Sequence, residues 1–187
     1  MTGSNHQPLV FLDIETTGAT ARTSRITEIG AIRVENGRVV SEFRQLINPE
    51  QPVPPFISRM TGIHDEMLWD APVFQTIADQ LEVFLDGALF IAHNVTFDYG
   101  FIKSEFERIG QKFNMDRACT VRLSRRLHPE HRSHRLDKII ERMNVDVVNR
   151  HRAYDDAEVL WKFFQAEYTT HGDALFDHLQ RVTSIKR

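Results

Sequence analysis

The 187-residue sequence predicts an α/β domain, a mixed sheet with helices on its faces. Three observations lead there. Leu9-Val10-Phe11-Leu12 is an unbroken apolar run, the mark of a strand buried on both sides. Glu35-Asn36-Gly37-Arg38 carries an Asn-Gly hairpin signal between two strand-like segments, 25–34 and 39–47. After residue 72, segments with helical spacing alternate with a short apolar strand.

Taken in order, the first strand ends at Gly18, and a polar loop covers 19–24. The hairpin makes the first three strands antiparallel neighbours. Four prolines within 48–55 specify a loop. Thr61-Gly62-Ile63-His64 reads as a turn between two short helices. Residues 72–85 form a helix with Val73, Ile77, Leu81 and Phe84 on one side, and Asp86-Gly87 ends it. Residues 88–92 are a short buried strand and 97–109 a helix stopped by Gly110. Segments 117–127 and 135–143 read as helices joined by a histidine-rich loop. Residues 153–168 form the last strong helix; Gly172 precedes a shorter helical segment with a basic end.

Composition narrows the class. A chain 41% hydrophobic and 26% charged suits one globular domain with a substantial core. No apolar run approaches the roughly 18 residues of a membrane helix, and Met1 to Pro8 lacks a signal-peptide pattern. Cys119 is the single cysteine, so an internal disulfide is excluded and a reducing cytoplasm is the expected compartment. A net charge of −3 argues against a generic polyanion binder. Between Asp116 and Lys138, however, seven Lys/Arg stand against three acids. Arg122, Arg125, Arg126 and Arg135 in this stretch form a candidate track for nucleic acid.

Three clusters carry the chemistry. Asp13 and Glu15 lie two apart at the end of a buried strand and so project to one side. Side by side they repel, and a cation between them relieves this. Asp98 falls within the apolar arc of its helix, with Phe101, Ile102 and Phe106, where a carboxylate needs a partner. Glu105 falls there too and has no evident role. His151 precedes the acidic pair Asp155-Asp156 and is suited to general-base work near neutrality. On the wheel of the last helix, Asp156 lies on the buried side with Leu160 and Phe164, and Asp155 on the wet side with Glu158 and Lys162. These acids, one histidine and a nearby basic stretch suit divalent ions and phosphodiester hydrolysis.

The sequence resembles the DEDDh 3′→5′ exonucleases, the group that includes the proofreading (epsilon) subunit of bacterial replicative DNA polymerase. Asp13-Ile14-Glu15-Thr16-Thr17-Gly18, Asn94-Val95-Thr96-Phe97-Asp98 and His151-Arg152-Ala153-Tyr154-Asp155-Asp156-Ala157 are similar to its three motifs. Thr61-Gly62-Ile63 resembles a segment lining its terminal-nucleotide pocket. Cys119-Thr120 departs from the Asp-Thr of many members.

The resemblance implies an RNase H-like fold with a mixed five-stranded sheet. It implies two divalent cations, Mg²⁺ or Mn²⁺, held by Asp13, Glu15, Asp98 and Asp156, with His151 as the base. Thr16, Thr17, Gly18, Thr61, Ile63, Asn94 and Phe97 would lie along the substrate, a single-stranded 3′ end, most simply DNA. It divides the chain into a disordered N-terminus at 1–7, an exonuclease domain at 8–170 and a helical, basic tail at 171–187. A DNA polymerase subunit is an expected partner, a membrane is not, and proofreading during replication is the expected setting. An RNA-trimming exonuclease and a non-catalytic binding module are the alternatives. A zinc site from His128, His131 and His134 is disfavoured because no cysteine or acid cluster neighbours them at ligand spacing; these histidines are expected to add pH-dependent charge to the binding face.

Overall fold

The structure, a computed structural model, describes residues 7–145, 147 and 150–185. Its centre is strand β1 (Leu9–Thr16), flanked by antiparallel β2 (Ile26–Glu35), which continues through a hairpin into β3 (Arg38–Leu46). Asn36 and Gly37 both take positive φ, 50° and 75°, as a primed hairpin turn requires. On the other side β1 pairs in parallel with β4 (Leu89–Ala92), and β4 in parallel with β5 (Arg117–Cys119). The two-residue strand β6 (Thr183–Ser184) closes that edge antiparallel, giving the order β3-β2-β1-β4-β5-β6.

The α/β class and the mixed sheet are as expected, with two differences. The sheet has six strands rather than five, because Thr183 and Ser184 add a strand too short to show any pattern. Residues 117–119 are strand β5 rather than the start of a helix; three residues cannot display a two-residue period. The segment after 171 contributes this sixth strand and a packed helix. The expected disordered N-terminus falls, up to residue 6, outside the described residues; Gln7 donates to the Gly87 carbonyl at 3.3 Å.

Helices α1 (Pro55–Thr61), α2 (Asp65–Leu68), α3 (Phe74–Leu85) and α4 (Thr96–Arg108) precede β5. Helices α5 (Thr120–Leu127), α6 (Leu136–Met143), α7 (Ala153–His171) and α8 (Ala174–Val182) follow it. The alternation along β1 separates two cores. Val10, Leu12 and Ile14 pack with α3 and α4, while Leu9 and Phe11 pack with α7 and α8. Phe11 lies 5.4 Å from Trp161 and 5.5 Å from Phe164, ring to ring, and so ties α7 to the central strand. Asp13 and Glu15 continue the face that Phe11 begins, at the carboxyl end of the parallel strands, where sheets of this kind place their sites.

Candidate active site

Helix α7 reaches the end of β1 because β2 carries a glycine beside Asp13. Gly30 pairs with Asp13 in the sheet. A Cβ at Gly30 would fall 2.1 Å from the Tyr154 nitrogen and 2.2 Å from the Ala153 carbonyl carbon. Only the missing side chain lets the first turn of α7 lie on the sheet there. Glu28 then holds that turn. It accepts from Arg152 Nη2 at 2.6 Å and Nε at 3.0 Å, and from the Ala153 N–H at 3.0 Å, a bidentate pair plus a helix N-terminal contact. Asp156 follows within the first turn and is 5% exposed, whereas Asp155 is half-buried, the two sides the helical wheel assigned them.

The remaining acid arrives from β4. Asn94, with φ 63°, turns the chain from that strand into α4, and Asp98 in the first turn is 2% exposed. Its carboxylate accepts from its own N–H and that of Ile14. Burial pushes Asp98 up to about 8. Burial, and then Asp156, Glu28 and Asp98, push Glu15 up to about 8 as well. Asp13 is raised well above the carboxylate range by burial and by Asp98, Asp156 and Glu15 together. Asp156 is raised by burial, which outweighs the opposing charge of Arg150, its ion-pair partner. Arg150 thus opposes the charge of Asp13, Glu15 and Asp156. Glu15, His151 and Asp156 bring one ligand atom each within 4.8 Å of one another. An oxygen-rich set that holds protons near neutrality for want of positive charge fits a hard divalent cation.

His151 is exposed beside this cluster on a left-handed backbone, φ 62°. It opens onto a groove of about 640 Å³ lined by His93, Asn94, Arg125, Arg132, Arg135 and Arg150. Of the expected basic track, Arg125 and Arg135 line this groove, Arg122 is exposed outside its lining, and Arg126 turns away to donate to His178 Nδ1 at 3.0 Å. A larger cavity, about 1050 Å³ between Tyr99, Arg117 and Ile185, lies at the opposite end of the parallel strands, away from the four acids.

The other expected substrate residues are held by local contacts. Thr16 donates to the Gly18 carbonyl at 2.8 Å, and the Thr17 hydroxyl accepts from the Arg25 N–H at 2.9 Å and from Gln51. A side chain at Gly18 would meet Ser24 Oγ at 2.7 Å. Thr61 donates to the Ile57 carbonyl at 3.0 Å, and Ile63 is enclosed with Val53, Ile57 and Leu68. Phe97 packs on Phe101 at 4.8 Å. The sequence reading missed Arg150, Glu28 and His93. An acid inside the apolar run Ile26-Thr27-Glu28-Ile29 was a usable signal for Glu28. His93 Nδ1 shares a 2.9 Å hydrogen bond with Thr120 Oγ1, and burial followed by Arg150 lowers it to about 4, so it stays neutral.

A mixed sheet whose central strand ends in clustered carboxylates, beside a basic groove, suits the hydrolysis of a phosphodiester. The chain belongs to the exonuclease family whose model, RNase_T, described as Exonuclease, matches residues 10–164. The family read from the three motifs is the family found. It is 36% identical over 155 residues to a PolC-type DNA polymerase III of Caldanaerobacter subterraneus subsp. tengcongensis, covering 83% of this chain and 11% of that protein. It is 36% identical over 162 residues to the 3′-5′ exonuclease DinG of Bacillus subtilis, covering 86% of this chain and 17% of that protein. The chain therefore spans less than a fifth of the length of either relative. Among solved structures, exonuclease X in complex with 5′ overhanging duplex DNA superposes with TM-score 0.73 at 22% identity, covering 92% of this chain and 98% of that one. The nuclease domain of 3′hExo, a DEDDh family member bound to rAMP, superposes with TM-score 0.77 at 15% identity, covering 91% and 96%. These two likenesses bear on the fold. No helix among the described residues is long and apolar enough to cross a membrane.

Proposed function

We propose that this protein is a two-metal-ion 3′→5′ exonuclease that removes nucleoside 5′-monophosphates from a single-stranded 3′ end, with DNA as the substrate. The observation that carries the reading is the cluster of four acids, three buried and Asp13 half-buried, beside the Arg150 guanidinium. Asp13, whose charge is opposed by all three other acids, is the residue suited to bridge two Mg²⁺ or Mn²⁺ ions. Glu15 and Asp156 complete the site on the side of the attacking water, and Asp98 supports it from the first turn of α4. Two such ions, when bound, stabilise both the entering and the departing oxygen of an in-line phosphoryl displacement. His151 takes the proton of the attacking water, and its exposed position leaves it room to pass that proton to solvent. Asn94 and the main chain at Thr16 flank the terminal nucleotide, with Arg125 and Arg135 along the strand behind it.

The printed name of the PolC-type relative supports a working place beside a DNA polymerase; proofreading, in the cytoplasm, is the task we propose for this chain. Digestion of matched single-stranded DNA and RNA, labelled at the 3′ or the 5′ end, tests the reading. The expected outcome is immediate release of the 3′ label with Mg²⁺ or Mn²⁺ and none in chelator. Faster digestion of RNA transfers the proposal to RNA trimming, and full activity in chelator removes it. His151→Ala is expected to lower turnover by roughly 10²–10⁴-fold while the protein still binds a 3′-ended oligonucleotide. Wild-type turnover in this variant near neutral pH places the base elsewhere.

A further inference from the structure

We propose a second metal site, of the Zn²⁺ class, formed by His128, Glu130 and His131 in the loop between α5 and α6. The three residues bring one ligand atom each within 4.8 Å of one another. His128 Nδ1 lies 3.6 Å from Glu130 Oε1, and His131 Nε2 lies 3.5 Å from the same oxygen. Ligands about 2.05 Å from a tetrahedral zinc stand about 3.3 Å apart, so these two nitrogen–oxygen edges already lie within a few tenths of an ångström of what such a site needs. The loop is already folded for it: the His131 N–H donates to the His128 carbonyl at 3.2 Å, and the two ring centroids stand 5.7 Å apart.

The carboxylate behind His128 distinguishes this group from a chance pair of surface histidines. His128 Nε2 donates to Glu167 Oε1 at 2.6 Å, and Glu167 is 8% exposed on α7. The bond places the ring proton on Nε2 and leaves the Nδ1 lone pair directed toward Glu130. A carboxylate behind a histidine is the arrangement that orients metal-binding imidazoles and raises their basicity. His171 Nε2 lies 3.4 Å from Glu167 Oε2 without a hydrogen bond between them.

The structure also corrects the sequence reading of this loop. His134 belongs to neither a metal set nor the charged face: it is buried, its Nε2 donates to the His131 carbonyl at 3.1 Å and its Nδ1 takes the Ser124 hydroxyl at 2.9 Å. The third ligand is the glutamate between the other two histidines. Two nitrogens and one oxygen suit Zn²⁺, and Mg²⁺ is the wrong ion for them. Glu167 lies eleven residues along α7 from Asp156, about 16 Å at 1.5 Å per residue, so this site is separate from the four acids. A metal here would brace the loop that carries Arg132 and Arg135 into the groove.

Calorimetric titration of the full chain with Zn²⁺, in excess Mg²⁺ to fill the acid cluster, tests the proposal, with Co²⁺ absorption as a second readout. The wild-type protein is expected to bind one Zn²⁺ more than His128→Ala/His131→Ala does, and to give the visible bands of four-coordinate Co²⁺. Glu167→Gln is expected to bind Zn²⁺ roughly 10–100-fold more weakly. Circular dichroism checks each variant; His131→Ala, at a partly exposed position, decides the matter if the double variant is unfolded. Equal stoichiometry and equal Co²⁺ spectra in wild type and His131→Ala overturn the site, as does an unchanged affinity in folded Glu167→Gln.

Discussion

Two regions of this molecule bury acids, and they treat them in opposite ways. Glu105 on α4 is 1% exposed and receives Arg25 Nε at 2.9 and 3.1 Å, Arg108 at 3.1 Å and the Ile26 N–H at 3.4 Å. Seven residues earlier on the same helix, Asp98 belongs to a group of four acids, three of which feel the opposing charge of Arg150 and all of which are nevertheless raised above the carboxylate range. Burial by itself does not distinguish these acids; the supply of positive charge does. Glu105 is neutralised by the chain and ties α4 to the loop before β2. The cluster has a deficit that only protons or an added cation can fill.

The largest expected effect sharpens the contrast on the functional side. Asp156→Asn is expected to cost roughly 10³-fold or more in turnover, since metal stabilisation of the transition state is worth several kcal/mol. Its metal-free melting temperature should be no lower than wild type, because a repelling charge has been removed. Asp155→Asn should keep most activity. The reverse pattern would mean that the first turn of α7 presents its other side to β1.

Glu105→Ala is the counterpart. It leaves two guanidinium groups facing an emptied site and is expected to destabilise the fold by about 3–5 kcal/mol, with kcat per folded molecule unchanged. Denaturant unfolding and active-site titration together measure both. An unaltered stability would break the comparison, because Glu105 would then be no better satisfied than the cluster.

The pH dependence of stability gives a smaller effect of defined sign. Glu15 and Asp98 titrate at about 8 in the folded, metal-free protein, against about 4 for unfolded carboxylates. The folded state therefore holds protons the unfolded chain has released. The stability they confer is complete below about pH 4 and is lost as the pH rises through about 8. The metal-free melting temperature should fall across that window, less steeply in Glu15→Gln, and excess Mg²⁺ should flatten the slope. A melting temperature that rises with pH across it in the metal-free protein would show the cluster neutralised as Glu105 is.

The smallest effects belong to the groove. Arg125→Ala or Arg135→Ala should raise KM and reduce the salt slope of binding by about one each, with little change in kcat. Arg126→Ala, whose guanidinium is turned toward α8, should do neither. Equal effects at all three positions would mean that the track runs over α5 rather than along the groove.

These differences follow the range over which sequence reports structure. The strands of the meander, the hairpin at Asn36-Gly37 and the burial of Asp98 and Asp156 were legible, since each rests on spacing within one element. The partner of Glu105 was not, because Arg25 is 80 residues away in the chain. Strand β5 was read as helix because three residues carry no period, and β6 was invisible for the same reason. Arg150 escaped notice because it precedes α7, where no periodicity fixes a direction. The histidine loop was misjudged in its third member: a spacing of three residues suggested His134, and only the fold shows Ser124 beneath it.

Gly30 has a consequence for how this protein would tolerate change. A complete mutational scan read out by nuclease activity would score position 30 beside the acids, although it contributes no functional group. Any side chain there would lift the first turn of α7 and carry Asp156 and His151 off their line with Asp13. The four carboxylates would survive unchanged in sequence but no longer in assembly. A sequence filter that checks the acidic motif alone would pass such a variant as active, and a filter that also requires a glycine opposite the first aspartate would reject it.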